Sequence, residues 1–166
     1  TAIARVGHEL VRCAATSFAL AQMRAAVRAP ELRPQLQEAW RQSTLVAAIA
    51  YVLARETRAA NPDAALVAGM LHNVGRLFIV SRTQLRVVEY AAPEVWEEVL
   101  HDWHPQVGRT ILRDWKFPES LANAIAGQNE WVEGEADGLK SVLVCAIALV
   151  PCVWERERLD STVAGT

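Results

Sequence analysis

Glycine never clusters in this chain. Its eight glycines stand singly, so there is no Gly-rich loop to cradle a phosphate, and no Gly-x-Ser-x-Gly elbow to carry a nucleophile. Lysine is nearly missing: fifteen arginines stand against Lys116 and Lys140. Acids offset them to a net charge of −2, which leaves no basic excess for a polyanion, so nucleic acid is not an expected partner. The six tryptophans are not interleaved with a basic stripe, which also argues against single-strand stacking. Cysteine is scarce. Cys13, Cys145 and Cys152 show no close metal spacing and cannot all pair, so they are expected to be buried free thiols in a reducing cytoplasm. Long apolar runs are lacking too. The longest, 45–54 and 142–154, are too short to span a bilayer, the second being broken by Pro151, so no membrane association is expected. The first ten residues already carry Arg5, His8 and Glu9, unlike a signal peptide. Strand signals are nearly absent, with no sustained period-two alternation and no Asn-Gly hairpin turn.

What is present is helical. At 166 residues, with 52% hydrophobic and 22% charged content, the chain reads as one globular domain with a real core. It starts in mid-pattern at Thr1 without Met, as a fragment of something longer would. Residues 2–28 form a broken apolar stripe of Ile3, Val6, Leu10, Cys13, Phe18, Ala21 and Ala25, with Arg5, Arg12, Arg24 and Arg28 facing elsewhere. Pro30 and Pro34 bracket a turn. A second helix is expected over 35–59, apolar nearly all round from 45 to 54 and therefore central and buried. Asn61-Pro62-Asp63 is a helix start, with an N-cap amide, proline at the first helical position and an acid in the first turn. That helix contains His72 and Asn73, and Gly75 is expected to end or bend it. Short helices follow at 84–91 and 93–101. Residues 89–104 carry five acids and no Lys or Arg, which makes a solvated face or a docking face. His104-Pro105 is expected to open a new helix to 115, and Phe117-Pro118-Glu119 the next, to 128. After an acidic loop, a last helix covers 139–150, which Pro151 kinks or ends.

Few residues can carry chemistry. His72-Asn73 sits among small and apolar neighbours. An imidazole beside a carboxylate could hold a divalent metal, but Asn73 offers only a neutral amide. Without that charge, His72 reads as a core histidine. Gln42 shares a helical face with Val46, Ile49 and Leu53 and reads as a hydrogen-bonded core amide. His101 and His104 are three apart, but the proline places them in different elements. Gln128-Asn129-Glu130 reads as a polar helix end. Arg76, close to His72-Asn73, could meet an anion.

Together these pieces resemble the HDOD domain of the HD superfamily. Residues 2–7 resemble its "AI…LG" segment, and Trp40-Arg41-Gln42-Ser43 with Ala47 resembles "W…HS…A". Residues 69–77 resemble "GLLHDIGKL". His104-Pro105-Gln106-Val107-Gly108, followed by Leu112, Trp115, Pro118, Ile125 and Gln128-Asn129-Glu130, resembles "H…VG…LL…W…P…I…HHE". The similarity covers about residues 1–150 and corresponds to the HD-like portion, without the N-terminal helical half of a full HDOD domain. It implies an all-α, HD-like bundle of about seven or eight helices over residues 1–155, with 156–166 as a tail.

In catalytic HD phosphohydrolases the metal is held by a His, a His-Asp pair and a later Asp, and some relatives add a His-His pair. By resemblance, Gln42 stands for the first His, His72 is kept, and Asn73 replaces the Asp. Gln128 and Asn129 replace the His pair, His104 is kept, and the last Asp falls near Ile147. One surviving core ligand cannot supply the charge and ligand count of a hydrolytic metal. No metal, cofactor or catalytic residue is therefore expected. The expectation is a vestigial site of Gln42, His72, Asn73, His104, Gln128 and Asn129, with the first four in one hydrogen-bond network. The resemblance implies a non-catalytic scaffold or output module in bacterial signalling, working with receiver, diguanylate cyclase or phosphodiesterase domains in the cytoplasm. A degenerate metal phosphohydrolase and a nucleotide sensor without hydrolysis are the alternatives. An apolar face left bare by the missing half would drive self-association, so a homo-oligomer is among the expected states.

Overall fold

The computed structural model describes residues 33–82, 92–131 and 138–164. The helices expected over 2–28 and 84–91, and Cys13, lie outside them. The described residues hold six helices and no strand: α1 (Arg33–Thr57), α2 (Pro62–Leu71), α3 (Val74–Arg82), α4 (Pro93–Asp114), α5 (Glu119–Ala126) and α6 (Gly138–Ala164). The all-α architecture is as expected; the described residues hold fewer helices than the seven or eight expected of the whole domain. Helix α1 packs on α2 and α6, α3 on α4, and α4 on α5, while α6 closes against α2 and α5.

Helix α1 buries Leu36, Ala39, Ser43, Val46, Ala47, Ala50 and Ala54. Their three- and four-residue spacing puts them on one face. Burying a Leu or Val fully stabilises by about 1.5–3 kcal/mol each, so this stripe fixes the helix's rotation. Gln42 falls at its edge, half-buried. The stretch 45–54, expected to be central and buried, buries Val46, Ala47, Ala50 and Ala54 but leaves Ala48 and Val52 exposed. Helix α1 stops at Arg58, which takes a left-handed φ of 57°. The start of α2 is as expected: Asn61 Oδ1 accepts the Ala64 amide at 3.0 Å, with Pro62 at the first turn.

Gly75 does not end the helix; α2 stops at Leu71 and Gly75 lies inside α3. Two glycine-lined crossings hold this region instead. A Cβ on Gly69 would run into Ala47 backbone and sit 2.9 Å from the Val46 carbonyl carbon, so α2 rides directly on α1. A Cβ on Gly75 would overlap the His104 carbonyl oxygen and sit 2.7 Å from Gly108 N, so α3 rides directly on α4. The turn between α2 and α3 is thereby pressed against both α1 and α4.

Residues 93–101 and 104–115 are not separate helices. Helix α4 runs through Pro105, so His101 and His104 share one element. Proline has no N–H for the carbonyl four residues back, here His101. That carbonyl instead accepts Asn129 Nδ2 at 2.8 Å, which removes much of the cost of an internal proline. Helix α6 likewise continues past Pro151 to Ala164, and the Arg41 guanidinium lies 4.3 Å from the Trp154 ring centre, tying α6 to α1. Cys145 is half-buried and Cys152 exposed, both free, so the expected burial of Cys152 is wrong. Counting uninterrupted runs also understated apolar length. Pro62–Arg82 and Gly138–Arg156 are each long and apolar enough to cross a membrane, with 61% of the first window buried in the fold and 28% of the second.

Candidate functional site

The centre of the fold is the His72-Asn73 turn, and both residues are buried. Asn73 Nδ2 donates to Gln42 Oε1 at 3.1 Å and to the Ala39 carbonyl at 3.3 Å. The Gly69 crossing makes this reach possible by bringing α2 down onto α1. A buried amide satisfied this way adds no net charge to the core.

His72 Nδ1 lies 2.7 Å from the Gly69 carbonyl oxygen. A carbonyl only accepts, so Nδ1 carries the proton and Nε2 keeps its lone pair. Burial lowers the His72 pKa to about 4, against the opposing pull of the Gly69 bond. His104, on the buried face of α4, is lowered to about 3 by burial first, then by the charges of His72, Arg76 and His101. Two neutral imidazoles therefore share this interior at pH 7. His72 Nε2 and His104 Nδ1 have no hydrogen-bond partner among the described residues. The expected four-membered network is thus only partly formed: Gln42 and Asn73 bond each other, and the imidazoles stay out.

Gln128 and Asn129 both serve backbone carbonyls. Gln128 Nε2 donates to the His72 carbonyl at 3.1 Å. That carbonyl caps the end of α2, where helix geometry leaves carbonyls without amide partners. Asn129 fills the gap left by Pro105. Arg76 is already engaged, with Nη2 on both oxygens of Glu97 at 2.6 and 2.9 Å, which ties α3 to α4. Gln42, His72, Asn73, His104 and Gln128 thus come together, while Asn129 bonds on the far side of α4's proline and Arg76 faces Glu97.

The donor set does not fit a hydrolytic divalent metal. Among the described residues, no three His, Cys, Asp or Glu side chains are close enough to share one. The amides nearby are neutral, and the N–H groups of Asn73 and Gln128 are committed to oxygens. Introducing a carboxylate at Asn73 should therefore harm the fold. Asn73→Asp removes two donated bonds and faces an acceptor toward the Ala39 and Gln42 oxygens. Urea denaturation at pH 7 should show a loss of about 2–3 kcal/mol, and a loss below about 0.5 kcal/mol would mean these bonds contribute little.

Comparison with known proteins places the architecture. The HDOD domain profile matches residues 1–131. The chain belongs to the HDOD family. The match ends before α6, and Ile147, expected near the position of the last Asp, lies beyond it. Among solved structures, the HDOD chain is similar to the crystal structure of a "putative metal-dependent phosphohydrolase" from Shewanella amazonensis SB2B, at TM-score 0.67 and 20% identity. The alignment covers 98% of this chain and 62% of that one, and shows a shared fold. No curated protein matches significantly.

Sequence reasoning missed the glycines. Gly69, Gly75 and Gly108 sit in helical sequence, where glycine costs about 1 kcal/mol relative to alanine, and that cost was the available signal of close backbone approach.

Proposed function

We propose that this HDOD chain is a non-catalytic regulatory module of bacterial signalling. It acts in the cytoplasm as a scaffold or output domain for other signalling proteins, of receiver or diguanylate cyclase and phosphodiesterase type. The observation that carries the reading is the fate of the amides at the ligand positions. Gln42, Asn73 and Gln128 are bonded to one another or to backbone, inside a core that excludes solvent from His72. Such a centre supports packing, and its imidazole is closed to solvent. The test is metal analysis of protein from cells grown with manganese and iron, together with hydrolysis of bis(p-nitrophenyl) phosphate. Metal well below one per chain is expected, with no hydrolysis that His72→Ala abolishes. Stoichiometric manganese or iron, with hydrolysis lost in that variant, would overturn the reading in favour of a phosphohydrolase.

A second reading has one observation behind it. A cleft of about 520 Å³ beside the centre is lined by Gln35, Gln42, Arg76, Glu97 and Trp154, among others, a size suited to a small ligand. Nucleotide binding there requires a phosphate to displace Glu97 from Arg76, which ranks this reading below the first.

A further inference from the structure

Helix α4 carries two parallel stripes. Trp96, Leu100 and His104 recur every four residues and are buried. Val95, Val99 and Trp103 recur with the same spacing, offset by one residue, and are 53%, 42% and 64% exposed. Residues four apart on a helix are neighbours, so these three make one apolar ridge about 12 Å long. Glu94, Glu98 and Asp102 run beside it with the same spacing, all exposed. None of the three has an ion pair among the described residues, and no Lys or Arg occurs between 93 and 104. Single exposed apolar residues are ordinary, but a contiguous row edged by one sign of charge is the pattern of a contact surface. Complementing the helix dipole accounts only for Glu94, in the first turn; Glu98 and Asp102 lie beyond that reach.

We propose that this face of α4 docks a basic amphipathic helix of a partner protein. The ridge takes the partner's aliphatic side chains, and the acidic row takes its lysines or arginines. The same charges disfavour other occupants. An anionic membrane surface is repelled, and a second copy of this face would set carboxylates against carboxylates. The proposal deepens the reading of the chain as an interaction module and rests on it.

The test uses the whole chain and a fluorescent peptide of about 18 residues, five helical turns, built from leucine and lysine with one apolar face. Its control is a scrambled isomer of the same composition without that face. Fluorescence anisotropy should show the patterned peptide binding roughly tenfold or more tighter than the scramble. Trp103→Ala should weaken binding by roughly tenfold, the range of a central aromatic contact. Glu98→Lys with Asp102→Lys should weaken it and reduce its salt dependence. Hydrogen exchange in the unmutated protein should show protection over residues 94–103 when the peptide is bound. Equal binding of both peptides, indifference to these substitutions, or protection only elsewhere would overturn the proposal. Such a failure leaves the non-catalytic reading standing. Metal-dependent hydrolysis by the unmutated chain would refute that reading whatever the peptide does.

Discussion

Gly75→Ala should cost about 3–5 kcal/mol, a large share of the 5–15 kcal/mol typical of a domain. Propensity alone points the other way, since alanine is favoured over glycine within a helix by about 1 kcal/mol. Packing decides the sign. The new methyl group would overlap the His104 carbonyl oxygen and lie 2.7 Å from Gly108 N and 2.9 Å from the His104 carbonyl carbon. All three are backbone atoms, so no side chain can swing aside, and α3 would have to lift from α4. Lifting it exposes Val74, Leu77 and Val80, which α3 buries, and draws the His72 turn away from His104. Gly108→Ala is the control from the same crossing. Its nearest contact is a side-chain methyl, Ile125 Cγ2, at 3.2 Å, which can yield by a few tenths of an ångström. There the propensity gain offsets the crowding, and the net change should stay within about 1 kcal/mol. Urea denaturation of both variants reads the difference. Equal stabilities would mean that the crossing is not backbone on backbone.

The contrast between those two glycines shows where sequence reasoning runs out. A glycine within a helical pattern signals that something comes close, but the identity of that neighbour depends on a helix placed later in the chain. The same holds for Asn73, whose partner Gln42 is 31 residues away. It holds again for Pro105, which looked like a helix boundary because local rules give it no partner for the His101 carbonyl. The partner, Asn129, is 28 residues from His101 along the chain. What could be read was local. The Asn61 cap needs only three residues, and an all-α architecture needs only periodicity. Gln42 and His104 lie on helices, and His72, Asn73 and Gln128 in the turns that follow α2 and α5; which of them bond depends on sub-ångström approach between elements, which no local pattern encodes. The run from 45 to 54 is buried on only part of its surface for a related reason: apolar content all round a helix does not say how many neighbours it has.

Acid should unfold this protein through its two buried imidazoles. In the unfolded chain each takes up a proton near the ordinary pH of 6.5, whereas in the fold His72 does so at about 4 and His104 at about 3. Above 6.5 both states hold neutral rings, and the fold keeps its full stability. Below it, the unfolded chain binds protons that the fold refuses, so stability falls as pH falls, down to the folded values. At pH 5 each ring contributes a loss of about 2 kcal/mol, and the pair about 4 kcal/mol. Unfolding free energies from urea titrations at pH 7 and pH 5 measure this directly. His72→Gln, which cannot titrate, should cut the difference to about 2 kcal/mol whatever it does to stability at pH 7. Agreement within about 1 kcal/mol between the two pH values in the unmutated protein would mean that the rings are not held neutral. The cause of the acid loss also bears on function. The low-dielectric interior that rejects a proton penalises a divalent cation more, because the cation carries twice the charge. Carboxylates could offset that charge, and this interior holds Gln42, Asn73 and Gln128 instead. Acid sensitivity and a poor fit for metal therefore follow from the same feature, neutral amides around a buried histidine.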